Sequence, residues 1–386
     1  MIREAAATFA RALYRPGNRT GPWGARKPAG SLKRISRQPL RYPALDSARF
    51  VLIALVVSGH LLEQLVDTGP FAAALYRWIY LFHMPAFVLI SGAVSKPVLT
   101  RRRVVALITC LLLPYVLFQT LYAAWDAWLF QTGDWSQGYL TPYWLLWYLP
   151  SLACWRLLLP VFARLKFAMP FAVAIALAAG FAPWIGYPLS LSRTLVFFPL
   201  FLLGHRLGAK RLQQLGDSRS RRWGALAILI GAAVGAWLLR DADPQWLYAS
   251  VGYADLQVDP WPGAALRLAL LVVSASCVLA VLALMPRLAI PGTPGRRSLT
   301  AYLLHGFLVR ALVAAGAFAW LAHALPDPAE VLACLVAAVL IAAALSTRMA
   351  DSRAAPLTRP VDWMRDAARR GPRAIRRRME EFKRLY

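Results

Sequence analysis

Between residues 48 and 347 the chain repeats one pattern ten times: a continuous apolar run long enough to cross a bilayer, then a short polar break. The runs lie at about 48–66, 76–96, 104–130, 143–162, 168–186, 191–208, 222–240, 264–285, 297–323 and 329–347. A hydrocarbon core takes about 20 helical residues to cross. Lipid leaves no backbone polar group without a partner, so only helices or a closed barrel can span it. The runs are continuous and do not alternate, which excludes barrel strands. The sequence therefore predicts an all-α polytopic membrane protein of about ten transmembrane helices. A composition 59% hydrophobic and only 16% charged excludes a soluble globular domain. Pro85, Pro114, Pro150 and Pro199 fall inside runs, where membrane helices tolerate a kink.

The charge, +26 in total, is distributed by loop. One set of connections holds Arg101, Arg102 and Arg103, then Arg164 and Lys166, then Lys210, Arg211, Arg219, Arg221 and Arg222, then Arg287, Arg296 and Arg297. The alternate set carries Asp67, Asp134, Asp241, Asp243, Asp255, Asp259 and Asp327. Positive charge marks the cytoplasmic side, so an even number of spans with both termini in the cytoplasm is expected. Three regions follow. Residues 1–44 hold ten Arg or Lys, and form a basic, disordered cytoplasmic tail with an affinity for anionic headgroups. Residues 45–347 are the membrane domain. Residues 348–386 are a basic cytoplasmic tail, with twelve basic residues after Leu345. No apolar core follows the basic N-terminus promptly enough for a cleavable signal. No nucleic-acid motif accompanies the basic tails, so the lipid bilayer is the expected partner and nucleic acid is not. The connection 241–263 is rich in Asp, Pro and aromatics, and two readings stay open: a cover over an outer opening, or an ordinary loop. Cys110, Cys154, Cys277 and Cys334 lie in apolar segments without a CxxC pair, so neither a disulfide framework nor a metal site is expected.

Polar residues within the runs are few, and an ionisable group at membrane depth is by default a site hypothesis. The stretch Leu45–Pro97 concentrates them. Eleven residues separate Arg49 from His60, which returns to within about 20° of the same helix face and places them about 16 Å apart along the axis. Glu63, three residues further on, shares that side. The next run carries His83, Pro85 and Ser91-Gly92. The two histidines fall at similar depth near the outer side. Arg156, Arg193, His205, His305 and Arg310 are the other groups at membrane depth. Arg193 falls near the outer face, and His205 and His305 nearer the inner one.

The motifs resemble those of the membrane acyltransferase-3 family, and most closely its fucose 4-O-acetylase-like branch. They are Leu45-Asp46 with Arg49-x10-His60; Phe82-His83-Met84-Pro85 running into Ile90-Ser91-Gly92; Trp147-Tyr148-Leu149 with Trp155-Arg156; Arg193 with Phe197-Phe198-Pro199 and Gly204; and Gly295 with Ser298-Leu299 and Tyr302-Leu303-Leu304-His305-Gly306. They occur in order over about residues 45–310. The resemblance implies ten membrane helices, an acyl-CoA donor (acetyl-CoA first among them) from the cytoplasm, and O-acylation of a cell-surface glycan or glycolipid, in the inner membrane of a bacterium. The chain departs from the family in one place. Many relatives carry Arg-x-x-Arg at the inner end of the third helix, and here the sequence reads Arg101-Arg102-Arg103.

Acyl transfer needs a base for the attacking hydroxyl and a group to hold the charge developing on the thioester oxygen. Imidazole suits the first task near neutral pH. His60 is the candidate base, with Arg49 and His83 as further catalytic candidates. Arg101, Arg102 and Arg103 are candidates for the coenzyme A phosphates, because the guanidinium fork matches phosphate oxygens. Glu63, Ser91 and Arg193 are candidates for the acceptor. Ser91-Gly92 also reads as a place where helices approach closely. A transporter or flippase of a glycan or lipid-linked intermediate also fits many spans with internal charges. Against it stands the lack of a counterpart to the His60 and His83 motifs in residues 200–347.

Overall fold

A computed structural model describes residues 42–131, 138–285 and 292–368. Among these, each of the ten apolar runs is helical and none is a strand. The helices are α1 (Pro43–Leu62), α2 (Pro70–Val94), α3 (Arg101–Phe130), α4 (Trp144–Phe162), α5 (Ala168–Phe181), α6 (Pro188–Gln213), α7 (Arg219–Leu238), α8 (Pro260–Leu284), α9 (Ser298–Ala314), α10 (Ala317–Ala324) and α11 (Asp327–Leu345). Eight of them are long and apolar enough to span a membrane, and α9 with α10 makes a ninth if taken as one bent span. The run at 168–186 yields only the short α5. The chain is an all-α polytopic membrane protein.

Local sequence explains the irregularities. In α3, residues Ile108–Leu112 widen into a π-turn immediately before Pro114. Proline has no N–H and its ring crowds the carbonyl four residues back, so the ladder opens at that point. Between α9 and α10 the axis bends by 65° at Gly316, whose φ of +68° is open to glycine at little cost. Helix α2 starts under a carboxylate from α11: Asp327 accepts from the Phe71 and Ala72 N–H groups at 2.7 and 3.1 Å. An anion there satisfies orphan donors and opposes the helix dipole.

Helices α1, α2 and α6 form the centre. A Cβ on Gly92 would lie 1.9 Å from the Phe201 carbonyl oxygen, and one on Gly204 equally close to that of Leu89. Glycine at both positions lets α2 and α6 cross almost backbone to backbone, as in other membrane helix pairs. At the other extreme α7 is largely bare, with Trp223, Ile230 and Val234 exposed, as a lipid-facing helix should be.

The acidic connection after α7 folds over the bundle. Arg267 of α8 is buried, donates to the Val251 carbonyl at 2.9 Å and stacks 4.4 Å from the Tyr253 ring centre. Tyr253 in turn bonds Gly180 through its N–H and Leu177 through its hydroxyl. The same connection sends the helical turn Gln245–Tyr248 across the end of the bundle. Two residues of this segment, Leu247 and Tyr248, line the cavity that His60 also lines.

The C-terminal region begins as a further helix, α12 (Arg348–Thr358), docked on α9 by a Thr300 to Asp351 hydrogen bond of 2.7 Å. Residues 1–41, which carry most of the N-terminal tail, and 369–386 lie outside the described residues, as do Asp134 and Arg287.

Candidate active site

His60 stands in the last turn of α1, closer to the helix end than the apolar run alone suggests. Its Nδ1 lies 3.1 Å from Oε2 of Glu63. A carboxylate oxygen accepts here, so an imidazole in its neutral form carries its proton on Nδ1 and keeps Nε2 as an acceptor. The i, i+3 spacing within one helical turn brings the two together. The same Glu63 oxygen accepts from Trp144 Nε1 at 3.2 Å, and the indole meets the His60 ring edge-on at 4.2 Å between centres. Glu63 thus holds both the imidazole and the ring beside it.

His60 lines a cavity of about 150 Å³ together with Glu63, His83, Trp144, Arg193 and Tyr302. His83 is buried inside α2, where Nδ1 donates to the Ile79 carbonyl at 2.8 Å, so its Nε2 is also an acceptor. Arg193 of α6 reaches in with its Nε bonded to the Tyr248 carbonyl at 3.1 Å and its guanidinium over the Trp147 and Tyr187 rings. Tyr248, outside the spans, bonds the Tyr76 hydroxyl, and burial pushes its phenol up to about 12. It stays protonated at any physiological pH.

His305 was expected near the inner face. The structure places it against His60, with the rings stacked at 5.4 Å. The reason lies at the start of α9. The turn Gly292–Gly295 tucks under α1, and a Cβ on Gly295 would lie 1.7 Å from the Asp46 carbonyl oxygen. Helix α9 therefore begins level with the first turns of α1, and His305 comes up beside the last. Its Nδ1 donates to the Ala301 carbonyl at 2.9 Å, and its buried Nε2 has no hydrogen-bond partner. Among the described residues, no group of three or more His, Cys, Asp or Glu side chains is placed to hold a metal ion.

The remaining sequence candidates lie elsewhere. Arg49 lies in the second turn of α1, eleven residues before His60, paired with Asp46 at 3.0 Å. Ser91 bonds the Tyr148 hydroxyl at 2.7 Å and does not line the His60 cavity. Arg101 and Arg102 are exposed on the first turn of α3 and do not converge with Arg49 on one pocket. Arg103 does line a cavity, of about 310 Å³, with Lys96, Ser95 and Arg156. It lies where α2 ends and α3 begins, at the opposite end of the bundle from His60. His205 supports its rim by bonding the Ser95 carbonyl at 3.1 Å. Arg156 and Arg49 both lie within electrostatic reach of the Tyr148 hydroxyl, between the two cavities.

The sequence singled out His60 and Glu63 but not their pairing, although their i, i+3 spacing carried that signal. Tyr302 stood in one of the motifs without a role, and Trp144 and Tyr248 left no trace. Nothing in the sequence separates one of fifteen tryptophans from the others as a wall of the cavity.

A family model described as "Acyltransferase domain", that of acyltransferase-3, matches residues 42–347. The chain belongs to the acyltransferase-3 family. The arrangement around His60 lies within the matched domain and is its candidate functional site. Among curated proteins, "Nodulation protein NolL" of Mesorhizobium japonicum is 42% identical over 62 residues, 15% of this chain and 17% of the relative. The matched segment is thus well under two thirds of that relative's length. No solved structure matches.

Proposed function

We propose that the protein is an O-acyltransferase that carries an acyl group, acetyl in the simplest case, from acyl-CoA to a hydroxyl of a cell-surface glycan or glycolipid. The observation that carries this reading is the His60–Glu63 dyad, an imidazole held by a carboxylate through Nδ1 and lining a cavity inside a chain of the acyltransferase-3 family. Nε2 takes the proton as the acceptor oxygen attacks the thioester carbon. The tetrahedral intermediate then collapses, the C–S bond breaks, and the imidazolium returns its proton to the coenzyme A sulfur. The Arg193 guanidinium in the same cavity supplies positive charge for the developing oxyanion.

The donor side is the basic cavity of Arg103, Lys96 and Arg156, whose cations suit the phosphates of coenzyme A. The termini and this cavity face the cytoplasm, in accord with the positive loops. The ordered motifs shared with the fucose 4-O-acetylase-like branch support a sugar hydroxyl as the acceptor, at the inner membrane of a bacterium. His60→Ala is expected to leave an inserted, folded protein whose transfer falls at least about 100-fold, the scale of lost general acid-base catalysis. Near-normal acetyl transfer by purified His60→Ala protein removes the dyad from the mechanism.

A further inference from the structure

Beyond the His60 cavity, on the far side of Trp144, lies a second space of about 310 Å³. It opens where α1, α3 and α9 end. Its walls are Glu63, Gln64, Asp126, Tyr143, Trp144 and Arg310. Arg310 grips Asp126 with two hydrogen bonds of 2.9 and 2.8 Å, and the Tyr143 hydroxyl donates to the same carboxylate. A clamp between α3 and α9 would explain the ion pair. It does not explain why the pair forms the wall of a cavity, with 29% of the Arg310 and 16% of the Asp126 side chain still accessible.

The donor inventory makes the point. A guanidinium has five N–H groups, and the bonds to Asp126 occupy one on Nε and one on Nη2. The rest have no use in the clamp. The carboxylate likewise has more acceptor positions than its three partners fill. Spare donors and acceptors held side by side on a rigid pair match the vicinal hydroxyls of a sugar ring. Trp144 is another of the lining residues, and a flat apolar indole suits the C–H face of such a ring. Trp144 is fixed there at a φ of +30°, a left-handed conformation that costs a bulky residue energy, and its N–H is tied to the carboxylate that orients His60. It lines both cavities, so a chain of two sugar rings passing its edge can lie in both at once.

We propose that this second space is a sugar subsite, in which Arg310, Asp126 and Trp144 bind the pyranose ring next to the one that is acylated. The inference rests on the acyl-transfer reading and adds to it the class of acceptor, an oligosaccharide of at least two rings. The assay measures transfer of radiolabelled acetyl from acetyl-CoA to matched p-nitrophenyl mono- and disaccharides of gluco, galacto and manno configuration. The wild-type protein is expected to prefer the disaccharide of at least one pair. The neutral double variant Asp126→Asn/Arg310→Gln keeps a hydrogen-bonded pair of similar shape. It should raise the disaccharide KM at least tenfold, about 1.4 kcal/mol, leave the monosaccharide KM and the acetyl-CoA Kd unchanged, and so abolish the preference. Trp144→Phe, which keeps a flat ring, should retain part of the preference. Equal use of mono- and disaccharides by a wild-type protein that consumes acetyl-CoA overturns the subsite. So does a preference that survives in the double variant. A wild-type protein that neither binds nor consumes acetyl-CoA overturns the acyl-transfer reading itself, and the subsite with it.

Discussion

Replacing Glu63 separates two roles that the residue can play. If it orients His60, its loss acts on the chemical step; if it contacts the acceptor, its loss acts on binding. The structure favours the first, with Oε2 at 3.1 Å from Nδ1 of His60. A hydrogen bond to a charged group is worth about 1.5–3 kcal/mol. The Glu63 side chain is 29% exposed, so solvent screening argues for the lower end of that range. At about 1.36 kcal/mol per decade in rate, removing the charge should lower kcat by roughly tenfold. Glu63→Gln is that perturbation, because its amide oxygen can still accept from Nδ1 and from Trp144. Glu63→Ala removes the acceptor as well, freeing the imidazole to rotate and to move its proton to Nε2, and should cost about another tenfold. Initial rates on purified protein, with the acetylated product quantified by mass spectrometry, should show kcat falling in both variants while KM for acetyl-CoA holds. Unchanged kcat with a raised acceptor KM would return Glu63 to the acceptor and dissolve the dyad.

Two further outcomes test the donor side and the orientation. Arg103→Gln should weaken acetyl-CoA binding about tenfold by calorimetry, the loss of one charge-assisted contact, whereas Arg101→Gln/Arg102→Gln should change it less than about twofold, since both side chains are exposed outside the cavity. The opposite ranking would move the donor site away from that cavity. Single cysteines at positions 215 and 242, the latter exposed in the connection after α7, probed on intact cells with a membrane-impermeant thiol reagent, should be protected at 215 and labelled at 242; the reverse pattern would invert the orientation read from the positive loops.

The membrane architecture was legible because lipid enforces it. Every backbone group must pair within its own segment, so a continuous apolar run has few alternatives to a helix. The same constraint says nothing of how far each helix slides along its neighbour, and the site reading went astray there. Arg49 and His60 belong to one helix, about 16 Å apart along its axis as their spacing required, and the structure adds that Asp46 holds the arginine. His305 was misjudged in depth, because it stacks on His60. Its depth was counted from the end of an apolar run, while its true level is set by Gly295 lodging against the Asp46 carbonyl. A glycine contact of that kind fixes the register of two helices, yet in the sequence it is one of twenty-four glycines. The triple arginine shows the converse. Three adjacent residues at a helix start point about 100° apart, so one of them, Arg103, turns into the cavity and its two neighbours do not. Which of the three it would be depends on where Thr100 begins the helix, its side chain accepting from the Arg103 N–H. The chemistry of the site was thus written in residue types, and its geometry in the few close contacts that set how the helices lie against one another.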